Sequence, residues 1–178
     1  MRERLQKIKL IALDVDGTFT DGTLYYDGDG KVIKGFSSHD GLGLELLRRA
    51  GIHRGFITGR HDYATEARAS YLGADFYLVN VGDKSVALTE TAEKFGVMLD
   101  ECLYMGDDLN DLTVLAAAGV SVAVANASEY VKSRVDIVTT ASGGHGAVRE
   151  IIEAVLAAKG IDPADLWLSE KNRRVGTQ

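Results

Sequence analysis

Short apolar runs punctuate the chain at residues 10–15, 55–58, 76–79, 103–105 and 120–124. None alternates with polar positions as a half-solvated strand would, so each is expected to be a strand buried on both faces. Between them the apolar residues recur at helical spacing. In 42–50, Leu42, Leu46 and Leu47 form such a stripe, and 62–72, 84–95 and 109–118 behave alike. These four segments are followed by Gly51, Gly73, Gly96 and Gly119, the residue type that closes a helix in the left-handed conformation. A further helix is expected at 147–158, closed by Gly160. Asp162-Pro163 reads as an N-cap with proline at the first helical position, opening a short helix through Trp167. After Ser169 the chain is polar and expected to be mobile. Alternating buried strands and helices predict a single α/β domain over 1–178, with its core at about 8–160 and a tail at 161–178. Ligands of such a parallel sheet bind beyond the carboxyl ends of its strands.

One segment breaks the alternation. Residues 24–36 carry Leu24-Tyr25-Tyr26, then Asp27-Gly28-Asp29-Gly30, then a second apolar stretch ending at Phe36. Two short strands around a glycine-rich turn are predicted. A hairpin this small is marginal alone in water, so it must fold over the active face or pair with another copy.

Composition narrows the options. Of 178 residues 46% are hydrophobic, and the mean hydropathy of −0.03 excludes a disordered or membrane-embedded chain. Twenty Lys and Arg against 26 Asp and Glu give a net charge of −6, a surface that repels nucleic acid and anionic lipid. The basic group Lys171, Arg173 and Arg174 in the tail reads as a solvated end. A single cysteine, Cys102, sits in an apolar run and is expected to be a small core residue. The first nine residues alternate charges and lack the apolar stretch of a signal peptide, so a cytoplasmic location without membrane attachment is expected.

Candidate chemistry lies at the strand ends. Asp14 and Asp16 follow the first run two residues apart, a spacing that would turn both acids the same way. Two like charges held so close need a cation or a shared proton. Thr58 ends the second run and precedes Gly59-Arg60; Lys84 starts the helix after the third; Asp107 and Asp108 follow the fourth, with Asp111 one turn on. Phosphoryl transfer needs a nucleophile, a proton donor for the leaving alkoxide and positive charge around the equatorial oxygens. An aspartate can attack phosphorus, but its charge and that of the ester repel, so a hard divalent cation must bridge them. Carboxylate and carbonyl oxygens with water and phosphate suit Mg²⁺.

Asp14-Val15-Asp16-Gly17-Thr18, Thr58, Lys84 and Gly106-Asp107-Asp108-Leu109-Asn110-Asp111 resemble, in order, the four motifs of the haloacid dehalogenase superfamily of phosphohydrolases. The resemblance implies a Rossmann-like parallel sheet flanked by helices. It implies Asp14 as nucleophile and metal ligand, and Asp16 as acid and base whose main-chain carbonyl binds the metal. Thr58 and Lys84 would hold the phosphoryl group. Asp107 would complete the metal site, with Asp108 and Asp111 orienting it or its waters.

The hairpin in place of a large cap, Thr58-Gly59-Arg60, and Gly143-Gly144-His145-Gly146-Ala147-Val148-Arg149-Glu150 resemble the capless 3-deoxy-D-manno-octulosonate 8-phosphate (KDO 8-phosphate) phosphatase family. That family implies a sugar acid phosphate substrate of lipopolysaccharide synthesis. It also implies a homotetramer joined through the hairpin flaps, with the glycine-rich motif, and so His145, able to reach a neighbour's site. Arg60 and Arg68 are expected at the carboxylate or sugar end, because a guanidinium binds carboxylate bidentately. Three departures stand out: His145 and His39 occupy positions where the family has arginine, and Val79-Asn80 replaces a common Gln-Gly pair. A nine-carbon sugar acid 9-phosphate is the alternative substrate, although Arg60 stands where that relative has glutamate. A receiver-type phosphoacceptor domain uses similar residues, but its acidic pair comes first, whereas here Asp14 leads and Asp107-Asp108 comes last. A regulatory subunit that kept the fold is a further non-enzymatic option, which the four intact motifs oppose.

Overall fold

Helix α1 (Arg2–Lys7) leads into β1 (Leu10–Leu13), whose four side chains are fully buried because neighbouring strands flank it on both edges. The chain then forms a hairpin of β2 (Tyr25–Tyr26) and β3 (Val32–Ile33) and enters α2 (Ser38–Arg49). Next come β4 (His53–Ile57), α3 (Tyr63–Tyr71), β5 (Phe76–Leu78), α4 (Lys84–Phe95) and β6 (Cys102–Gly106). The series ends with α5 (Leu112–Ala117), β7 (Val120–Ala123), α6 (Glu129–Lys132), β8 (Ile137–Val138) and α7 (Ala147–Ala158). The computed structural model describes residues 1–168; the stretch from Ser169 onward, for which mobility is expected, lies outside them.

All six strands of the main sheet are parallel, in the order β5-β4-β1-β6-β7-β8. Leu13 lies beside Phe56 on one flank and Met105 on the other, so the residues that follow these strands emerge at one edge. The chain winds outward through β4 and β5, then returns across β1 to β6. That reversal opens a crevice at the carboxyl ends, and right-handed crossovers in opposite directions place α2 and α5 on opposite faces. α7 packs on α2 and α1 through Val148, Ile151, Ile152, Val155 and Leu156, all buried, while α4 packs on α5. Cys102 is fully buried in this core, as expected.

Helices at 84–95 and 147–158 fall where periodicity predicts, and Gly51, Gly73 and Gly96 take positive φ of 71°, 59° and 65°. Asp162 caps the terminal helix, accepting from Ala164 N at 2.7 Å and Asp165 N at 3.2 Å. Elsewhere tertiary contacts override local pattern. The first strand stops at Leu13 because residues 15–19 turn sharply. The helix expected at 42 begins at Ser38, where Ser37 Oγ accepts from Asp40 N. The helix expected over 109–118 opens as a 3₁₀ turn (Leu109–Asp111) and becomes α-helical only at Leu112. Gly119 is no left-handed cap: its N–H donates to Leu99 O at 2.8 Å, and a Cβ there would lie 2.2 Å from Asp100 O, so close backbone approach is what demands glycine. α1, α6 and β8 have no matching pattern. In α1 only Leu5 is buried, and Arg4 Nη1 is tied to Asp136 Oδ1 of the distant β7–β8 segment at 2.6 Å.

Asp40 is the one acid of α2 that is fully buried. It caps another helix: Gly146 stands at the start of α7 without a side chain, and Asp40 accepts from Gly146 N at 3.2 Å and Arg149 N at 2.8 Å. Asp40→Ala is expected to cost about 1–2 kcal/mol, the range of a lost N-cap. A urea titration checks this; an unchanged midpoint would contradict the capping role.

Candidate active site

The site grows from the turn after β1. Asp14 N is held by Met105 O at 2.9 Å, extending the strand pairing by one residue. The backbone then makes one wide turn, closed by Thr20 N donating to Val15 O at 2.9 Å, with Gly17 at φ 96°. A side chain at Gly17 would clash, since a Cβ would fall 2.2 Å from Asp107 Oδ2. Thr18 Oγ1 donates to Asp107 Oδ1 at 3.1 Å, tying the β1 turn to the end of β6.

Lys84 begins α4, which Asp83 caps by accepting from Ser85 N and Val86 N. Its side chain runs inward, and Nζ lies 2.7 Å from both Asp14 Oδ1 and Asp111 Oδ1. Asp111 is fully buried, and all its bonds go to protein: Oδ1 also accepts from Tyr104 OH at 2.9 Å, Oδ2 from Asp107 N at 3.0 Å and Asp108 N at 3.4 Å. It therefore orients the Asp107-Asp108 backbone and Lys84. Asp108 itself is exposed, and its Oδ1 accepts from Leu109 N at 2.8 Å.

Oxygens of Asp14, Asp107 and Asp111 lie within 4.8 Å of one another. Burial, then the Asp111 charge, pushes the Asp14 carboxyl up to about 6 despite Lys84. Burial and the charges of Asp14 and Asp111 push Asp107 up to about 7. Burial alone would lower Lys84, but the two carboxylates together hold its ammonium above the ordinary lysine value. This is an excess of negative charge that one lysine does not neutralise. Asp14 and Asp107 keep oxygens free of hydrogen bonds to the described residues, so a hard divalent cation fits between them.

A cleft of about 300 Å³ exposes this group, lined by Asp14, Asp16, Thr58, Gly59, Arg60 and Asp107 together with Asp108 and Asn110. Seven candidates thus converge there, with Lys84 buried beneath. An adjoining cavity of about 280 Å³ shares Gly59 and Arg60 and is bounded by Lys34 and Asn80. Asn80 has φ 54°, the one non-glycine residue with positive φ among those described, at the position where the family's pair has glycine. Asparagine is among the side chains that tolerate this conformation best.

One expectation is corrected within a single chain. Arg68 does not reach the cleft: its Nη2 donates to Ser37 O at 3.2 Å and its guanidinium lies against Phe36 and Tyr71, because α3 turns that face toward α2. His145, expected to reach a neighbour's site, is exposed outside its own chain's cleft, with Nδ1 2.9 Å from Gly143 O. The glycine motif packs on its own chain's turn after β1, Gly144 N donating to Thr18 O at 3.2 Å. His39 is likewise exposed and lines neither cavity. Sequence reasoning missed Lys34, since a lysine in a hairpin reads as solvated. For Asn80 a signal is present in the chain, since an asparagine in a glycine position points to positive φ.

A family model described as haloacid dehalogenase-like hydrolase matches residues 80–151. The 3-deoxy-D-manno-octulosonate 8-phosphate phosphatase of Haemophilus influenzae is 39% identical over 160 residues, covering 90% of this chain and 89% of that protein. The chain belongs to the KDO 8-phosphate phosphatase family. The enzyme of the same name from Escherichia coli K12 is 36% identical over 88% of this chain and 84% of its own length. Among solved structures, the KDO 8-phosphate phosphatase of Moraxella catarrhalis in complex with magnesium, phosphate and KDO has a TM-score of 0.87 at 40% identity, covering 89% of this chain and 91% of that one. A cobalt-bound form of the Haemophilus enzyme gives 0.88 at 38% identity, over 93% and 99%. Membership of the KDO 8-phosphate phosphatase family makes the protein a phosphoric monoester hydrolase. Among the described residues no helix is long and apolar enough to cross a membrane.

The raised carboxyls have a consequence for stability. Without metal, Asp14 and Asp107 bind protons more tightly folded than unfolded, so stability is greatest below about pH 4 for these groups and declines as pH rises through 6 and 7. A cation competes with those protons. Mg²⁺ is therefore expected to raise Tm by several degrees more near about pH 8 than near about pH 5, where roughly 2–4 °C corresponds to 1 kcal/mol. Thermal scans with chelator or Mg²⁺ check this; an equal metal effect at both pH values would contradict it.

Proposed function

We propose that the protein is a Mg²⁺-dependent phosphomonoesterase that hydrolyses KDO 8-phosphate to KDO and inorganic phosphate. The observation that carries the reading is the convergence of Asp14, Asp16, Thr58, Lys84 and Asp107 at one sheet edge, with Lys84 Nζ at 2.7 Å from Asp14 Oδ1. An oxygen of the Asp14 carboxylate is the attacking atom. It bonds to phosphorus as the ester P–O bond breaks, and Asp16 gives its proton to the departing alkoxide. Water then attacks the aspartyl phosphate, Asp16 takes its proton, and the Asp14 carboxylate is regenerated with release of phosphate. Thr58 and Lys84 hold the equatorial oxygens, and buried donors there act at low dielectric, where they count most. Asp14, Asp107 and the main-chain carbonyl of Asp16 would hold Mg²⁺, which when bound would offset the repulsion between carboxylate and phosphate. Asp108 and Asp111 keep that acidic loop in place. Arg60, on the wall between the two cavities, takes the sugar acid's carboxylate with Gly59 beside it.

The protein assembles as a homotetramer through its hairpins. Supporting this, Tyr25, Tyr26 and Ile33 are 56%, 60% and 54% exposed on a two-stranded ribbon with open edges. In that assembly His145 serves a neighbouring site.

Asp14→Asn is expected to lower phosphate release from KDO 8-phosphate by at least about a thousandfold with the fold intact. Near wild-type turnover would refute the nucleophile. Sedimentation should give four-chain particles at micromolar concentration, and a stable monomer would refute the shared assembly. A flat kcat/KM across sugar acid phosphates, including nine-carbon 9-phosphates, would refute the substrate.

A further inference from the structure

Lys34 has an environment that a hairpin lysine does not need. It directly follows β3, yet its side chain is 1% exposed. Nζ donates to Asp62 Oδ2 at 2.6 Å and to Thr65 Oγ1 at 3.3 Å, both at the start of α3. On its other side it lies 2.6 Å from Asp16 Oδ1. An ammonium is strongly hydrated, and burying it is costly unless carboxylates replace the water. Asp62 and Thr65 would suffice to fasten the hairpin to the core. The contact with Asp16 is additional, and it falls on the cleft side of the lysine.

The geometry at Asp16 is specific to one oxygen. Oδ1 is buried against Lys34 without a hydrogen bond of good alignment, whereas the side chain as a whole remains 22% exposed and lines the catalytic cleft. The accessible oxygen is therefore Oδ2. A proton on Oδ1 would face the ammonium, so a protonated Asp16 carries its hydrogen on Oδ2, toward the cleft.

Building on the reading of Asp16 as acid and base, we propose that Lys34 is a positioning residue for the first chemical step. By holding Oδ1 it aims Oδ2 at the bridging ester oxygen. As the P–O bond breaks and the new bond to Asp14 forms, the Oδ2 proton passes to the alkoxide; in the second step Oδ2 recovers a proton from water. Lys34 transfers none. The hairpin thus reaches the chemistry of its own chain as well as any neighbour.

The test is the leaving-group dependence of the first step. Rapid-quench release of the alcohol is compared between KDO 8-phosphate, whose alkoxide needs a proton, and p-nitrophenyl phosphate, whose phenolate does not, at saturating Mg²⁺. Lys34→Met is expected to slow the alkyl substrate by about a hundredfold, the low end for general acid catalysis, and the aryl substrate by less than about tenfold. Lys34→Arg, which keeps a cation beside both carboxylates, should recover most of the loss. Asp62→Asn, which can keep the N-cap of α3 but weakens the ion pair that fastens the hairpin, should affect both substrates alike. Lys34→Gln, retaining a donor for Asp62, serves if the methionine variant does not fold. Equal losses on both substrates, or none, would overturn the proposal. Asp16→Ala separates the two layers: if it fails to discriminate between substrates, the acid–base reading itself falls. If it discriminates and the Lys34 variants do not, only the positioning role falls. Adding Lys34→Met to Asp16→Ala should cause no further loss, because both act through one group.

Discussion

The structure depends on one buried lysine between two buried aspartates. Lys84 at 2.7 Å from Asp14 and Asp111 joins the end of β1 to the loop after β6, and it makes tolerable a density of negative charge that would otherwise repel itself apart. Burial makes each partner essential, since removing one leaves an uncompensated charge at low dielectric. The compensation is partial: burial first, and then the neighbouring carboxylates, displace Asp14 and Asp107 upward despite Lys84. A divalent cation between the carboxylates would supply positive charge that Lys84 alone does not, and so allow an anionic ester to approach.

Steric constraints keep the cluster tight. Gly17 permits Asp107 to press against the catalytic turn, and Gly143 permits a second approach from behind, where a Cβ would fall 1.8 Å from Gly17 O. The turn that carries Asp16 is thus sandwiched between the β6 loop and the glycine motif before α7. Asp40 pins that motif from α2, so the segment after the hairpin and the segment near the carboxyl terminus act on the catalytic turn from one side. The glycine motif thereby has a function within one chain, independent of any reach into a neighbour. Lys34 repeats the Lys84 arrangement, one cation between two carboxylates, and couples the hairpin to the turn after β1 and to the start of α3.

Parts of this were legible in the chain and parts were not. The buried strands, the helices at 84–95 and 147–158 and the motifs at strand ends are local patterns, read from period and punctuation. The convergence of Asp14, Thr58 and Asp107 follows once the sheet is parallel, because all three leave it at one edge. Arg68 failed as a cleft residue for a reason local pattern does not carry. A helix-borne arginine can serve either face of its helix, and here the backbone oxygen of Ser37 and the rings of Phe36 and Tyr71 take it. α1 is tied to Asp136, far along the chain, and β8 is placed by pairing with β7.

What the sequence determined alone is the order of elements and the kind of chemistry, since hydrophobic period and residue type act over a few neighbouring positions. Tertiary structure decided which charges meet. That Asp111 serves Lys84 and Tyr104, that Lys34 is buried against Asp16, and that Asn80 stands at φ 54° beside the cavity adjoining the cleft all depend on segments far apart in the chain. Electrostatic and steric partners are set by distance in space, and only the packed sheet and its loops fix that distance.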